Sequence, residues 1–242
     1  MDLTVLGASG SYGSGAGGAC SGYLVQAGGA AVWIDCGNGT FPNLQQHLPV
    51  DALDAVVLTH EHPDHCVDIY GLHVLLHYGL ERTGVPVFGP DGIEKRLGAL
   101  VSDWGDTFEW NVVGDGDGVR IGPLELRFSR TDHPPPTYAV EVRGDGKRLV
   151  YTADTGPDWT VGAFAAGADL VLSEATYQEG RKGWPHHLTA AEAGRGAREA
   201  GARRLVLTHL WPELDPVVSV AEGSEAFGEP VTLAAPHLVA RV

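Results

Sequence analysis

The sequence predicts an α/β (α+β) protein in which two β-sheets face one cleft. Strand and helix patterns alternate near both ends of the chain, whereas residues 108–152 form a run of strands separated by Asp-Gly and Gly-Asp turns. Two apolar strands also echo each other, because Val57-Leu58-Thr59-His60 and Val206-Leu207-Thr208-His209 both end in Leu-Thr-His. Histidines at the ends of two similar strands predict two sheets that meet at a shared site.

The first half of the chain begins with a short strand at residues 3–6 and a glycine-rich loop at residues 7–22. Gly28-Gly29 is a typical hairpin turn and predicts that the strands on either side of it pair. Period-2 and apolar patterns predict strands at residues 23–27, 31–35, 55–59 and 85–88. Helices are predicted at residues 41–48, 67–78 and 92–101.

The second half of the chain is expected to return to alternating strands and helices after its strand-rich beginning. Thr189 and Glu192 have the spacing of a capping box at the start of a helix. Strands are predicted at residues 108–113, 124–129, 139–142, 149–152, 170–173 and 205–208, and helices at residues 189–199 and 217–226.

Composition limits the class of protein and its partners. The 242 residues include 43% hydrophobic residues, which suits a single domain over residues 1–242 with a sizeable core. There are 16 Lys and Arg residues against 31 Asp and Glu residues, which gives a formal net charge of −15. A chain this acidic repels phosphate backbones, so long nucleic acid is not expected as a partner. A small anionic substrate is compatible, because bound divalent ions reverse the local field.

Cysteine usage and hydropathy predict a cytoplasmic protein. Cys20, Cys36 and Cys66 form no CxxC pair, and an odd number of cysteines does not make a disulfide framework. The N-terminal residues begin as a strand, without the basic and apolar regions of a signal peptide. No stretch approaches the roughly 20 apolar residues that cross a bilayer, so no membrane association is expected.

The strongest chemical signal is Thr59-His60-Glu61-His62-Pro63-Asp64-His65, which follows an apolar strand. In a core, each of these imidazoles and carboxylates would need its own polar partner. On a loop after a strand they make sense as a ligand shell, since imidazole and carboxylate suit zinc and similar divalent ions. The cluster therefore predicts a metal site.

At this cluster the sequence resembles the metallo-β-lactamase superfamily, whose HxHxDH motif it matches at every defined position. The resemblance extends over essentially the whole chain, because later candidate ligands recur in the family's order. These are His133 in Thr131-Asp132-His133-Pro134, Asp154 in Ala153-Asp154-Thr155-Gly156, and His209 at the end of the last strong strand. The resemblance implies an αββα sandwich of two mixed β-sheets flanked by helices.

The same resemblance implies a dinuclear metal site. One ion would be held by His60, His62 and His133, and the other by Asp64, His65 and His209, with Asp154 bridging them. Zinc is the first expectation, while manganese or iron could use the same ligands. Two such ions, about 3.5–4 Å apart, generate a hydroxide near neutral pH, which Asp64 would also help to orient. The resemblance therefore implies a metal-dependent hydrolase.

Three observations select a branch of the superfamily. Asp154 stands where the secreted β-lactamases have a cysteine or lack the bridge, and His62 stands where flavodiiron oxygen reductases have a glutamate. Ser173-Glu174-Ala175-Thr176-Tyr177, followed by His187-Leu188-Thr189, resembles the phosphodiesterase branch that includes the RNase Z-like tRNA-processing enzymes. In that branch a glutamate pairs with a histidine that protonates the leaving oxygen, and the resemblance assigns these roles to Glu174 and His187. His186 is an adjacent rival.

The simpler alternative for this pair is that His187 merely precedes the helix cap at Thr189 and that Glu174 is a surface acid.

Within the branch, the sequence is most similar to atypical class II cyclic-nucleotide phosphodiesterases of actinobacteria. This similarity is carried by Thr4-Val5-Leu6-Gly7, Ser21-Gly22-Tyr23-Leu24, Asp154-Thr155-Gly156, His187-Leu188-Thr189 and Leu207-Thr208-His209. It implies hydrolysis of a small phosphodiester, including cyclic nucleotides as candidates, and the related enzymes suggest a homodimer. A glyoxalase-type thioester hydrolase on the same metals and a non-catalytic metal- or nucleotide-binding module are the alternatives.

Several other features are expected to lie outside the metal chemistry. The stretch Gly13-Ser14-Gly15-Ala16-Gly17-Gly18 satisfies GxGxxG, but a strand follows it where a dinucleotide site needs a helix N-terminus. We interpret this loop, residues 7–22, as a flexible rim of the metal cleft that could touch substrate. Trp184 and Trp211 lie near candidate site residues and could stack on a base. The residues expected not to be ligands are Cys66, His73, His77 and His237.

Overall fold

Two β-sheets form the centre of the protein in a computed structural model that describes residues 1–15, 18–101 and 103–242. In chain order the strands are β1 (Asp2–Gly7), β2 (Gly22–Ala27), β3 (Ala30–Ile34), β4 (Ala55–Val57), β5 (Val85–Gly89), β6 (Phe108–Val112), β7 (Gly118–Ile121), β8 (Leu124–Arg130), β9 (Tyr138–Gly144), β10 (Lys147–Tyr151), β11 (Leu170–Glu174), β12 (Leu205–Thr208), β13 (Thr232–Leu233) and β14 (Val239–Arg241). The α-helices are α1 (Thr40–Leu44), α2 (Pro63–Cys66), α3 (Ile69–Val74), α4 (Ile93–Leu97), α5 (Val161–Phe164), α6 (Ala190–Glu199) and α7 (Pro216–Phe227).

Each sheet is mixed and, within the described residues, has seven strands. The first follows the order β14-β1-β2-β3-β4-β5-β6, with antiparallel pairing up to β3 and parallel pairing beyond it. The second follows the order β7-β8-β9-β10-β11-β12-β13, antiparallel up to β10 and parallel beyond it. This confirms the predicted sandwich of two mixed sheets flanked by helices.

The inner faces of the two sheets bury one apolar core. Strand β8 shows the pattern clearly, because Leu124, Leu126 and Phe128 are buried while the residues between them are exposed. Such alternation is expected for an antiparallel strand with one face on the core. Tyr23 of the first sheet and Tyr151 of the second meet in this core, with ring centroids 4.8 Å apart. Both hydroxyls reach towards the site, because the Tyr151 hydroxyl donates to Asp35 and the Tyr23 hydroxyl bonds to that of Thr208.

Helices cover the outer faces of both sheets. Helices α1, α3 and α4 pack against the first sheet, and α5, α6 and α7 pack against the second. The predicted capping box is confirmed at the start of α6, where Thr189 accepts from the amide of Glu192 and Glu192 accepts from the amide of Thr189. Helices α6 and α7 approach closely at Gly194, where a Cβ would lie 2.6 Å from the carbonyl oxygen of Gly223. Only glycine fits at this crossing.

Several predicted boundaries were wrong. The helix predicted at residues 67–78 is divided into α3 and a π-helical segment, Leu75–Leu80, and the separate short helix α2 precedes it. The helix predicted at residues 41–48 ends at Leu44, and the one at residues 92–101 ends at Leu97, followed by a 3₁₀ turn. Strands β7, β13 and β14 and helix α5 were not predicted, because they are short and most residues of these strands are not buried.

Two general predictions concern membrane association and domain organisation. Among the described residues, no helix is long and apolar enough to cross a membrane. The assignment of residues 1–242 to one domain stays a prediction. Ala16 and Gly17, which belong to the discounted GxGxxG pattern, lie outside the described residues, as does Ser102. The strand expected after that pattern is present as β2, where a dinucleotide site would have a helix.

Candidate metal centre and catalytic site

All seven predicted metal ligands lie together in the cleft between the two sheets, where strands end. His60 follows β4, His133 lies in the loop between β8 and β9, and His209 follows β12. Pro63 at the first position of α2 suits a helix start, and this short helix carries Asp64 and His65. The predicted ligand atoms form two groups, each with its atoms within 4.8 Å of one another: His60, His62, His133 and Asp154 in one, and Asp64, His65 and His209 in the other. By the same distance, His187 also lies within reach of Asp154 and His209.

Three residues that follow strands at this site adopt a left-handed backbone conformation. The φ angles are 58° for Asp35, 51° for Ala153 and 56° for His209. None of these residues is glycine, and each such conformation costs about 1–3 kcal/mol. The surrounding sheets must overcome this cost, which is typical of positions where side-chain direction matters more than local stability.

The first group converges on one carboxylate oxygen. Nδ1 of His62 lies 3.0 Å from Nε2 of His60 and 3.2 Å from Nε2 of His133. Oδ2 of Asp154 lies 3.7 Å from Nε2 of His60 and 3.8 Å from Nε2 of His133. These four atoms surround a common centre, as three imidazole ligands and one carboxylate ligand would.

The second group converges on the other oxygen of the same carboxylate. Nε2 of His209 lies 3.3 Å from Nε2 of His65 and 3.2 Å from Oδ2 of Asp64. Oδ1 of Asp154 lies 3.4 Å from Nε2 of His65 and 3.6 Å from Nε2 of His209. Asp154 therefore presents one oxygen to each group, which is the geometry of a bridging ligand.

The separations fit divalent metal ions of the zinc type. Ligand atoms about 2.0–2.1 Å from a tetrahedral ion lie about 3.3 Å from one another. The measured separations are 3.0 to 3.8 Å in the first group and 3.2 to 3.6 Å in the second. In addition, Oδ1 of Asp154 is buried and accepts no hydrogen bond from the residues that the structure describes. A buried carboxylate oxygen without a donor calls for a cation, so this cluster is able to bind metal.

Asp35 organises the deep side of the cluster, and sequence reasoning missed this role. Its carboxylate is fully buried and lies 2.8 Å from Nδ1 of His65. It also accepts from the amide and hydroxyl of Thr59 and from the hydroxyl of Tyr151. The Thr59 hydroxyl, in turn, lies 3.0 Å from Nδ1 of His60. Because both Nδ1 atoms are engaged, the lone pairs of Nε2 point to the centre.

The predicted partners Glu174 and His187 are in contact at the open side. Nδ1 of His187 lies 2.9 Å from Oε1 of Glu174, and both side chains are buried. Glu174 also accepts from the amides of Thr155, Thr176 and Leu188 and from the Thr176 hydroxyl. Among the described residues no protein group bonds to Nε2 of His187. This geometry rules out a surface role for Glu174.

Thr176 connects this pair to the metal cluster. Its hydroxyl donates to Oε2 of Glu174 at 2.8 Å and lies 2.9 Å from Nδ1 of His209. The hydroxyl therefore accepts from Nδ1 of His209 and leaves Nε2 as the ligand atom. Thr176 lies two residues after Glu174 in the sequence, but its role depends on His209, which comes from another strand.

Burial and charge divide the histidines into two classes. Burial lowers the pKa of His133 to about 4 and holds that of His60 well below its ordinary value, so both stay neutral and suited to a metal. Burial also disfavours the charged form of His65, but the carboxylates of Asp154 and Asp35 outweigh it and raise the pKa of His65 well above its ordinary value. A cation bound at this group would replace that proton.

The carboxylates of the cluster are held as anions. Burial alone would raise the pKa of Asp154, but His209 and His65 hold this pKa well below its ordinary value.

The imidazole of His187 is held in the opposite state. Burial lowers its pKa, while the charge and hydrogen bond of Glu174 outweigh this effect and raise the pKa to about 9. His187 therefore carries a proton at neutral pH and is suited to act as an acid.

The loop that carries His187 is fixed by several contacts. The rival residue, His186, bonds to Asp132 at 2.9 Å, away from Glu174. Its carbonyl oxygen instead accepts from Nδ1 of His133 at 3.0 Å. His186 thus positions one candidate ligand through its backbone. The indole of Trp184 is 42% exposed and lies beside His133 and His187, with ring centroids 5.1 and 5.5 Å away.

The glycine-rich loop also reaches the cluster. The amide of Ser11 donates to Oδ2 of Asp64 at 3.0 Å. Tyr12 packs edge-on against Trp211, with ring centroids 5.7 Å apart, and its hydroxyl bonds to Glu213. Trp211 also stacks on Tyr177 at 6.3 Å. The described part of this loop therefore borders the site, as expected of a rim.

The residues expected not to be ligands lie outside both groups. Cys66 is buried, with Sγ 3.1 Å from the carbonyl oxygen of His62, and burial raises its pKa to about 12. His73 packs against Trp104, which lies on the outer side of the first sheet, and against His77. His237 pairs with His47 at 2.9 Å.

Comparison with known proteins identifies the family. A family model described as the Beta-lactamase superfamily domain matches residues 30–210. The chain belongs to this superfamily, as a metallohydrolase of the metallo-β-lactamase fold. The recognition made from HxHxDH and the later ligands is thereby confirmed.

Relatives of this superfamily member include both sequences and solved structures. It is 34% identical to "Probable metallo-hydrolase YhfI" of Bacillus subtilis over 220 residues, 87% of each chain. The YhfI crystal structure superposes with a TM-score of 0.91 at 30% identity, over 99% of each chain. A Ribonuclease Z of Mycobacterium bovis is 27% identical over 80% of each chain. A diphosphatase of the PhnP family shares the fold, with a TM-score of 0.80 at 20% identity over 100% of this chain and 97% of the other.

Proposed function

We propose that the protein hydrolyses small phosphodiesters with two divalent metal ions and a protonated histidine that serves the leaving group. One observation carries this proposal: Glu174 holds Nδ1 of His187 at 2.9 Å, directly beside the metal cluster. Hydrolysis of a phosphodiester that has an alkoxide leaving group needs a proton donor at the departing oxygen. The buried pair supplies such a donor.

The ligand roles follow from the two groups of atoms. His60, His62 and His133 would hold one ion, Asp64, His65 and His209 would hold the other, and Asp154 would lie between them. Zinc fits the nitrogen-rich donor set best, with manganese and iron as alternatives. When bound, two such ions would supply a water of lowered pKa and would neutralise the phosphoryl oxygens.

The remaining work is done by side chains of this chain. His187 would donate the proton on Nε2 to the departing oxygen while Glu174 stabilises the charge and the orientation of the imidazole. Asp64 has an exposed side-chain fraction of 11% and lies at the rim, where it would help to orient the attacking water. In each turnover an oxygen of water would join phosphorus and release a proton to solvent, the electron pair of the breaking P–O bond would stay on the leaving oxygen with the proton from His187, and solvent would then protonate His187 again.

The net charge of the protein favours a small substrate. The net charge of −15 disfavours a long polyanion. The names of two relatives, a ribonuclease and a diphosphatase, support phosphoester chemistry. Cyclic nucleotides are the first candidates, as the resemblance to atypical class II phosphodiesterases implies. The homodimer and the cytoplasmic location stay predictions.

The test is a substrate panel with zinc-loaded protein. It contains bis(p-nitrophenyl) phosphate, 2′,3′- and 3′,5′-cyclic nucleotides and, in parallel, a glutathione thioester. We expect metal-dependent cleavage of the diesters without thioester cleavage, and loss of turnover in His60→Ala, which removes a ligand of the first group. Thioester cleavage alone would support the glyoxalase-type alternative. Metal-loaded protein that binds nucleotides without turnover would support a binding module.

A further inference from the structure

We propose that Trp184 is a stacking surface for an aromatic base on the leaving group of the substrate, so that the departing alcohol is a nucleoside. This inference rests on the proposed phosphodiesterase function and goes beyond it, because it names which half of the diester the protein recognises. The argument comes from the exposure of the indole, from the contacts that hold it and from its distance to His187.

The exposure of Trp184 sets it apart from the other tryptophans. It is the one tryptophan with a largely exposed side chain among the described residues, at 42%. Trp33 and Trp104 are buried in the core of the first sheet's outer face, and Trp211 packs between Tyr12 and Tyr177. When a flat ligand covers a large apolar ring that is exposed beside a catalytic cleft, apolar surface is removed from water, and this favours binding.

The backbone that carries the indole is held in place. The backbone amide of Trp184 donates to the hydroxyl of Tyr177 at 3.2 Å. Next to it, a Cβ on Gly183 would lie 2.8 Å from the same hydroxyl, so the backbone passes too close for a side chain there. Beyond it, His186 is tied to Asp132. An exposed ring on a fixed backbone is preorganised for a ligand and binds it with less ordering cost.

The position of the ring decides which part of the substrate it meets. Its centroid lies 5.5 Å from that of His187, the proposed proton donor, and 5.1 Å from that of His133. A group bonded to the oxygen that His187 protonates therefore lies within reach of Trp184. A neutral nucleobase suits this place, because every base has a π-face and stacking on an aromatic side chain needs no charge. Trp211, in contrast, packs against Tyr12 and Tyr177 and is partly covered by them.

The regiochemistry of one substrate tests this placement without any variant. Adenosine 5′-(methyl phosphate) can be cleaved on either side of phosphorus. If adenine stacks on Trp184, the P–O5′ bond breaks, O5′ takes the proton from His187, and the products are adenosine and methyl phosphate. Release of AMP and methanol by the wild type would place the base on the opposite side and would overturn the inference. If the protein cleaves none of this diester, bis(p-nitrophenyl) phosphate and the cyclic nucleotides, the proposed function is contradicted, and the inference that rests on it is contradicted as well.

Variants then test the residue. We compare kcat/KM for adenosine 5′-(methyl phosphate) with kcat/KM for ribose 5-(methyl phosphate), which lacks the base. In Trp184→Ala this ratio should fall about tenfold, mainly through KM, which lies within the range for one base stacked on an aromatic residue. Trp184→Phe should keep part of the ratio, and Tyr78→Ala, which removes an exposed aromatic ring of α3's π-helical extension, should keep all of it. An equal loss on both diesters would assign Trp184 a purely structural role.

A binding measurement gives a readout that does not depend on turnover. Trp184 is exposed, so adenine stacked on it should quench part of the tryptophan fluorescence in a titration with AMP. The quench should be lost in Trp184→Phe. A quench of unchanged size in that variant would overturn the inference. A higher kcat/KM for glycerophosphocholine than for adenosine 5′-(methyl phosphate) would also overturn it, because the choline cation would then be the group that contacts the indole.

Discussion

Two buried carboxylates, Asp35 and Glu174, each orient two imidazoles through the same kind of contacts, but the proposed roles of these imidazoles differ. Asp35 contacts His65 directly and reaches His60 through the hydroxyl of Thr59. Glu174 contacts His187 directly and reaches His209 through the hydroxyl of Thr176. In all four cases Nδ1 faces the carboxylate or the threonine, which leaves Nε2 free to act.

The difference lies in what Nε2 meets. His60, His65 and His209 direct Nε2 into the ligand groups, whereas His187 lies beside the exposed indole of Trp184. One arrangement therefore orients three proposed ligands and one proposed acid, and the surroundings of Nε2 distinguish the two proposed roles. A carboxylate partner alone does not identify a metal ligand or an acid.

The topology accounts for part of this similarity. Strands β4 and β11 occupy the same place in the two sheets, each as the first parallel neighbour beyond the antiparallel strands. Thr59 and Thr176 both come two residues after these strands end, so the threonines match. The carboxylates do not match, because Glu174 ends β11 itself while Asp35 follows β3.

The largest effect is expected when the acid is removed. His187→Asn should lower kcat for a diester with an alkoxide leaving group by about 10²–10⁴-fold, the usual contribution of a general acid. The loss should be much smaller for bis(p-nitrophenyl) phosphate, because p-nitrophenolate leaves without a proton. Steady-state kinetics on both substrates checks this, with bound metal measured in parallel. Equal losses on the two substrates would contradict the role of His187 as an acid. Loss of bound metal in this variant would instead identify His187 as a metal ligand.

The next largest effect is expected at the other carboxylate. Asp35→Asn removes the charge that orients His65 and, through Thr59, His60. Loss of such an outer partner typically costs about 10–100-fold in metal affinity. Metal competition titrations would measure it, with Asp51→Asn, an exposed aspartate, as the matched control. Wild-type affinity in Asp35→Asn would show that the ligands orient themselves.

A smaller effect is expected from Glu174→Gln, and it should appear in the pH profile. Glu174 is the cause that raises the pKa of His187 to about 9 against the effect of burial. The acid is active in its protonated form, so activity is present below this pKa and is lost as pH rises through it. Removal of the charge lowers the pKa, and the alkaline limb of kcat should move by about one unit or more to lower pH. Asp35→Asn should leave this limb in place, and a shift in that variant would argue against separate roles for the two carboxylates.

Much of the fold could be predicted because its central strands are buried and therefore apolar, even where they are as short as β4 and β12. The edge strands β7, β13 and β14 could not, since they are short and most of their residues are not buried. The Leu-Thr-His echo predicted two facing sheets, and its two strands do lie in different sheets. However, β4 and β12 occupy different places in them, so the echo does not mark equivalent strands.

The site divides in a similar way. The proposed ligands and the Glu174–His187 pair follow from motifs, because each lies at a fixed offset from a strand. In the sequence, Asp35 appeared only as the last residue of the strand predicted at residues 31–35. Its partners His65 and Tyr151 are 30 and 116 residues away, so its role exists only once the strands are assembled. An aspartate directly after a buried strand was the only signal in the sequence.

The smallest effects are expected from the two threonines, and they would sharpen the comparison most. Thr59→Val and Thr176→Val each leave a buried Nδ1–H without its acceptor, which costs about 1 kcal/mol or about fivefold in metal affinity. Thr59→Val should change metal affinity alone, because both imidazoles held by Asp35 are proposed ligands. Thr176→Val should also shift the pH profile, because Glu174 loses a donor and its remaining charge acts more strongly on His187, which raises the pKa of the acid. Thr→Ser at either position keeps the hydroxyl and serves as the control. Identical behaviour of the two valine variants would mean that the two carboxylates do the same work.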